Sequence, residues 1–403
     1  MTVAVPAKTA NFLRTQRHYP TIHYLRRGAQ RRLPHFAYEY GDGGAGVDTC
    51  ISRTWAALDG IELVPRYGVT PKLPPVDVAL FGRRYAAPIG VAPMGAIGVV
   101  WPGADKALAK AAQRARVPYT LSTFGGATIE KIAKIAPDVF WFQLYRFARS
   151  DHAIGFDLVK RADSAGAHVL MLTLDVPVRT TRSREVAVGL GGGGVFRPDL
   201  RMVAGILTSP GWALAMLRNG RPRFANIQRY AGPDASLNGT IRFARAQMDG
   251  TFSWDDVARY RDRWKRPLVL KGILHPADAE KAVALGVDGI LVSNHGGRQV
   301  ELLPPPIDCL PAIVDVVGSR ATVLMDSGIR SGADVARALA LGASAAFAGK
   351  AFLWGLGALG DEGAGHVIDL LIDELQSSLG QIGVQSPAEA RTVKVRHPTA
   401  LHF

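Results

Sequence analysis

The stretch Gly289-Ile290-Leu291-Val292-Ser293-Asn294-His295-Gly296-Gly297-Arg298-Gln299 decides how the rest of the chain is read. Its opening apolar run has the character of a buried strand. A histidine and an arginine follow three residues apart, just past the strand's C-terminal end, with two glycines between them. Glycines at that point let the backbone turn tightly or approach a ligand closely. A base beside a fixed cation suits an anionic substrate that must lose a proton. Alone, such a loop would be no more than a solvated His and Arg; its surroundings give it meaning.

Working outward, similar apolar runs recur on both sides. They predict eight strands: Ile89–Pro93, Pro118–Thr123, Phe140–Tyr145, Val169–Asp175, Pro267–Gly272, Gly289–Asn294, Thr322–Gly328 and Ala345–Lys350. Helical patterns lie between them, as in Ala104–Ala115, His152–Ala165, Ser253–Trp264, Pro276–Leu285 and Ser331–Leu341. Most strand starts are roughly 20–35 residues apart, the length of one β-plus-α unit. Right-handed crossovers between eight parallel strands predict an α/β fold closed as a (β/α)8 TIM barrel. An open doubly wound sheet is the alternative, and eight regular units favour closure. Residues 1–75 are expected to pack on the barrel as an N-terminal segment, 76–380 to form it, and 381–403 to be a tail.

One interval breaks the rhythm. Between Asp175 and Pro267 the chain is far longer than one crossover helix requires, which places an insertion, 183–250, after strand 4 on the catalytic face. Its middle, Phe196 to Arg229, has six arginines and one acid, together with the apolar runs Met202–Leu207 and Trp212–Leu217. That amphipathicity fits either a lid over the site or a peripheral membrane contact through 196–229. The apolar stretch Ala338–Gly360 is glycine-rich, interrupted by Lys350 and laid across a predicted strand, so it is not read as a membrane span.

The 403 residues are 48% hydrophobic and 20% charged, enough for a large core. The net charge of +14 raises the question of nucleic acid. The chain has no zinc spacing, no aromatic-rich RNA motif and no single basic helix, so anionic ligands and an anionic membrane surface explain the charge better. Cys50 and Cys309 form neither a disulfide framework nor a metal spacing and point to a reducing compartment. The first 38 residues carry seven Lys/Arg and no acid. They are read as a segment packed on the domain in preference to a targeting sequence or basic arm. No metal site is expected; His18, His23 and His35 show no paired spacing, and His275 before Pro276 reads as a helix start.

The predicted strand ends bring chemistry to one face. They supply Pro93-Met94-Gly95, Ser122, Gln143 with Tyr145, Thr173 with Asp175, Lys271, His295 with Arg298, Asp326 through Arg330, and Gly349-Lys350. Glycines with cations after strands 7 and 8 are a usual phosphate site in this fold.

Five segments then carry a resemblance. SNHGGRQ at 293–299, LTLDVPV at 172–178 with the following arginine, FQLY at 142–145, LPHFAYEYGDGGAG at 33–46 and MDSGIRSGAD at 325–334 together resemble the FMN-dependent 2-hydroxy acid dehydrogenase and oxidase family. That family includes glycolate oxidase, L-lactate dehydrogenase and mandelate dehydrogenase. The likeness runs from Leu33 to the neighbourhood of Gly380. It implies FMN as cofactor and oxidation of an L-2-hydroxy acid to the 2-oxo acid. It implies that His295 is the base and Asp175 its supporting acid. Arg298 and Arg182 would hold the substrate carboxylate, with Arg184 a competitor for the second place, and Tyr40 and Tyr145 would flank the carboxylate and hydroxyl. FMN would be bound by Pro93, Met94, Gly95, Ser122, Gln143, Thr173, Lys271, Ser293, Asp326, Ser327, Gly328, Ile329, Arg330, Gly349 and Lys350. Lys271 would stabilise negative charge on the reduced flavin.

Three positions depart from the pattern. Lys350 stands where the family usually has Arg, Phe124 where glycolate oxidase has Trp, and Gly95 where several oxidases have Ala. The segment Ala96–Pro102 and the basic insertion look most like the mandelate dehydrogenase branch, which predicts an apolar or aromatic substrate, with L-lactate close behind, and a quinone or other acceptor. The glycines at 189 and 191–194 predict a mobile lid. The family likeness further implies a homotetramer, while the cysteine usage and the basic insertion place the chain in the cytoplasm or peripheral on the inner face of the membrane. The rival readings are an oxidase using O2 and releasing H2O2, an FMN-barrel isomerase, and a non-catalytic binding barrel.

Overall fold

All eight apolar runs become parallel strands in the computed structural model, which describes residues 10–69, 72–178, 180–190, 199–232 and 234–403. They are β1 (Ile89–Val91), β2 (Tyr119–Ser122), β3 (Phe140–Leu144), β4 (Val169–Thr173), β5 (Leu268–Ile273), β6 (Gly289–Val292), β7 (Thr322–Asp326) and β8 (Ala345–Ala348). Each pairs with its sequence neighbours, and β8 pairs back onto β1 through Ala348 and Val91, so the sheet closes. Closure removes the open-sheet alternative. Strands buried on both faces have no polar side to alternate with, which is why they read as unbroken apolar runs.

The N-terminal end of the barrel is plugged by a hairpin, Val78–Leu80 with Arg83–Tyr85. Its Phe81 and Tyr85 rings pack on Trp141 at the start of β3, and the Tyr85 hydroxyl accepts from the Trp141 indole at 3.0 Å. That leaves the C-terminal ends of the strands as the open mouth. In the segment before the barrel, helix Ile22–Arg32 buries Ile22, Leu25 and Ala29, and helix Lys350–Leu359 lies against it. Near the C-terminus Lys394–Arg396 pairs with Glu62–Val64. The stretch Ala338–Gly360 is the end of one helix, β8 and a short helix; no single helix among the described residues is long and apolar enough to cross a membrane.

The insertion folds as short helices over the mouth: Ser183–Ala187, Leu200–Leu207, Pro210–Asn219, Ala225–Ala231 and Leu237–Gln247. Local signals set their starts. Asp199 and Ser236 cap helices by accepting from the backbone N–H of Met202 and Gly239, and Pro210 occupies a first helical turn. Trp212 anchors this cap, donating its indole N–H to the Val99 carbonyl and packing edge-on against Phe36. Asn226 ties it to the loop after β2 through Ile129 N–H and the Ala127 carbonyl. Leu200, Val203, Leu207, Leu214 and Leu217 remain exposed. The expected glycine lid at 191–194, and residues 196–198 of the expected membrane segment, lie outside the described residues.

Candidate active site

The loop after β6 turns through three consecutive left-handed residues, His295, Gly296 and Gly297. A β-carbon at Gly297 would meet Ile51 Cγ1 at 2.8 Å, so both the turn and the packing demand glycine there. His295 is not a glycine, and its positive φ is a local cost that the surroundings hold in place. Ser293 Oγ accepts from the His295 backbone N–H at 3.0 Å, and Ser327 Oγ accepts from Gly296 N–H at 2.9 Å.

This turn aims the imidazole at the acid after β4. His295 Nδ1 lies 2.9 Å from Asp175 Oδ1, and Nε2 lies 3.5 Å from the Tyr145 hydroxyl. Gly272, with φ +97°, makes room for the carboxylate: a β-carbon there would sit 2.4 Å from Asp175 Cβ. Burial pulls the His295 pKa below the usual 6.5 and outweighs the opposing pull of Asp175, so the imidazole is neutral at pH 7. Burial also opposes ionisation of Asp175, but His295 and Lys271 win and hold it ionised below the ordinary 3.8. Lys271 is buried as well. Desolvation favours its neutral form, but Asp326 at 3.0 Å and Asp175 at 3.7 Å keep it charged. Its ammonium also donates to Ser293 Oγ.

Of the two arginines competing for the second carboxylate position, Arg182 enters the cavity. Its Nε donates to the Arg298 carbonyl at 3.0 Å. Arg184 turns away into an ion-pair cluster with Glu39, Asp42 and Asp48. Arg298 is fixed by the carbonyls of Tyr40 and Gly43 at 2.9 and 2.7 Å and lies over the Tyr40 ring. The Tyr40 hydroxyl donates to the Gly95 carbonyl at 2.8 Å. Glu185, which sequence reading passed over, joins the pair: its Oε1 accepts from Arg298 Nη2 at 2.6 Å and Arg182 Nη1 at 3.2 Å. The Arg182–Glu185 spacing, three residues on one short helical turn, was the available signal.

These groups face one cavity of about 760 Å³. Tyr40, Tyr145, Arg182, His295 and Arg298 line it, as do Pro93, Met94, Gly95, Lys271, Asp326 through Arg330, Gly349 and Lys350. Ser122, Gln143, Thr173 and Ser293 lie behind that wall. Gln143 Nε2 donates to Thr173 Oγ1 and its Oε1 accepts from Ser122 Oγ, so they form a buried polar ladder. Asp175 also lies behind the wall, under the imidazole. His275 caps helix Pro276–Ala284 through its ring nitrogen, as its position before Pro276 implied.

Residues 29–397 match the sequence profile of the FMN-dependent dehydrogenases. The chain belongs to the FMN-dependent dehydrogenase family. Within it, similar curated proteins include the L-lactate dehydrogenase of Ectopseudomonas mendocina (strain ymp), 38% identical over 90% of this chain and 95% of that protein. Another is the L-lactate dehydrogenase of Caulobacter vibrioides (strain NA1000 / CB15N), 37% identical over 90% and 94%. Among solved structures, the monotopic membrane protein (S)-mandelate dehydrogenase superposes with a TM-score of 0.88 at 32% identity, covering 94% of this chain and 99% of the other. A mandelate oxidase with (S)-4-hydroxymandelic acid gives 0.81 at 33% identity, with the same coverage.

The dehydrogenase uses FMN, and its mouth has the features that cofactor needs. Helix Lys350–Leu359 opens into the cavity with no side-chain cap on its N-terminus, leaving backbone N–H groups for a phosphate. The two cations beside it, Lys350 and Arg330, both have partners within the chain. Lys350 donates to the carbonyls of Asp42 and Gly43, and burial together with nearby Arg298 lowers its pKa well below 10.5. Arg330 is held by Asp59 and Asp334.

Proposed function

We propose that this dehydrogenase oxidises an L-2-hydroxy acid to the 2-oxo acid and passes the electrons to a quinone. One observation carries the chemistry: a buried neutral imidazole whose Nδ1 is oriented by an ionised Asp175, beside two guanidinium groups aimed into the same cavity. When bound, FMN takes up the two electrons removed from the substrate. Arg182 and Arg298 grip the substrate carboxylate and fix the α-carbon. His295 Nε2 accepts the proton that leaves, with the Tyr145 hydroxyl next to it, and Asp175 stabilises the imidazolium that forms. Lys271 keeps a buried positive charge at the cofactor end of the cavity. Ser122, Gln143, Thr173, Ser293 and the loops Pro93–Gly95, Asp326–Arg330 and Gly349–Lys350 would hold the cofactor.

The substrate has an apolar or aromatic side chain. The Phe124 ring lies tilted 5.4 Å from Tyr145 and edge-on 5.4 Å from Phe224 of the cap, and Val176, Pro177, Val178 and Leu190 extend the same apolar lining. Mandelate-like acids fit this wall best, with L-lactate the smaller candidate.

The cap also docks on a membrane. Helices Leu200–Leu207 and Pro210–Asn219 meet at 95° and leave Leu200, Leu207 and Leu217 in solvent, while Arg201, Arg218, Arg221 and Arg223 lie on the same segment. Leucines outward with arginines at headgroup level suit a peripheral contact on an anionic surface. The solved (S)-mandelate dehydrogenase is itself described as a monotopic membrane protein, in keeping with this reading. The enzyme would then sit on the inner face of the membrane, as a homotetramer, beside a quinone pool.

Anaerobic mixing of the purified flavoprotein with (S)-mandelate, L-lactate and glycolate tests the reaction. Bleaching of the flavin absorbance by one of them is expected, and admitting air without forming H2O2 separates a dehydrogenase from an oxidase. A flavin that none of the three bleaches would overturn the assignment.

A further inference from the structure

One part of the cavity wall, a distal lobe, is supplied by the insertion and carries none of the reacting groups. Its described lining includes Leu190, Phe224, Leu237, Ile241 and Met248, all apolar, with Arg245 among them. The other cations facing the cavity are engaged: Arg182 and Arg298 with Glu185, Arg330 with Asp59 and Asp334, Lys350 with two carbonyls. Arg223 stands exposed at the rim. Arg245 differs from all of these. Its Nε is sealed from solvent and hydrogen-bonds nothing. An arginine in the last turn of a helix commonly donates to the terminal carbonyls. Arg245 occupies that turn of Leu237–Gln247, yet its Nε does not do so. Desolvation, with no acid nearby to offset it, pulls its pKa below 12.5. The sealed Nε is out of reach of a ligand in the cavity, so what the cavity offers an anion is the rest of the guanidinium, which pairs with no acid among the described residues.

We propose that this lobe takes the far end of the substrate, and that Arg245 selects 2-hydroxy acids whose apolar side chain ends in a second carboxylate. The inference rests on the 2-hydroxy acid reading of the reactive cluster and adds the distal half of the substrate. An apolar body would cover the leucine, isoleucine and methionine walls, and a carboxylate would pair with the Arg245 guanidinium, which has no acid partner among the described residues. The reacting end needs its own carboxylate for Arg182 and Arg298, so the preferred substrate is a dicarboxylate with the two groups separated by an apolar spacer such as a ring.

The probes are (S)-mandelate and its 4-carboxy derivative, mixed anaerobically with the FMN-loaded full-length enzyme. Dissociation constants come from the concentration dependence of flavin bleaching. The carboxylated probe is expected to bind at least about tenfold more tightly, the scale of one charge-assisted hydrogen bond. Arg245→Gln should bring the ratio of the two constants close to one, and Arg245→Lys, which keeps a cation on the helix, should retain part of it. Flavin absorbance of each variant reports that the fold is intact. A wild-type ratio near one, or a ratio that survives in Arg245→Gln, overturns the inference. So does an Arg245→Gln variant altered only in re-oxidation by a soluble quinone, which would place the acceptor in this lobe. Failure of both probes and of L-lactate to bleach the flavin refutes the 2-hydroxy acid reading itself, a result distinct from bleaching without preference.

Discussion

The barrel mouth and the cap break the usual sorting of residues in opposite directions. At the mouth, ionisable side chains go inside: Asp175 and Lys271 are 6% and 4% exposed, with Asp326 and His295 beside them. On the cap, leucines go outside: Leu200 is 88% exposed and Leu217 82%. The first inversion is balanced within the chain, because two carboxylates share a lysine and one of them also orients a histidine. The second has no balance among the described residues. Buried charges that satisfy one another form a preorganised reaction centre. Leucines that no described residue covers are where the proposed lipid contact would form, with the neighbouring arginines beside it.

The sharpest way to break this contrast is to remove the base. His295→Gln should retain FMN and lose roughly 10²–10⁴-fold in turnover. Near wild-type turnover would reduce the buried ions to a structural feature. The same residue sets a pH dependence. Only the neutral imidazole can accept a proton, and burial lowers its pKa, so the acid limb of kcat/KM should be centred below 6.5. An acid limb centred above 6.5 would contradict the buried geometry. Next in size is Arg298→Lys. Lysine keeps the charge but cannot reach the Tyr40 and Gly43 carbonyls while offering a planar fork, so kcat/KM should fall by roughly 10–100-fold, mostly through KM. An unchanged KM would remove Arg298 from substrate binding.

The smallest effect tests the other half of the contrast. Changing Leu200, Leu207 and Leu217 together to Ser should weaken binding to anionic lipid vesicles by about tenfold or more, since each buried leucine contributes up to about 1.5–3 kcal/mol. Co-sedimentation reads the partition, with flavin bleaching by substrate as the control. Equal partition before and after the change would return the cap to a lid or an oligomer contact.

The strands were legible because their signal is local. A strand covered on both faces is a short apolar run, and its end is marked by the first polar residue or glycine, so β1 to β8 could be placed to within a residue or two. The loop after β6 was legible because its paired glycines mark a tight left-handed turn, and at Gly297 the packing also excludes a side chain. The insertion was visible as a break in rhythm, but not as five short helices, and nothing periodic marked Phe224 or Arg245 as cavity residues. Their place depends on how the cap settles on the mouth.

The sequence alone determined the eight β/α units and the His295–Arg298 loop, because periodicity and glycine geometry act over a few residues at a time, and the resemblance of five of its segments pointed to the FMN-dependent family. Tertiary structure alone decided which side chains meet. It chose Arg182 over Arg184, placed Glu185 between the two arginines, gave Lys350 to backbone carbonyls and left Arg245 without an acceptor. Those outcomes turn on contacts such as that of Arg298 with Tyr40, 258 residues apart, and a spacing of that size leaves no local mark on the chain.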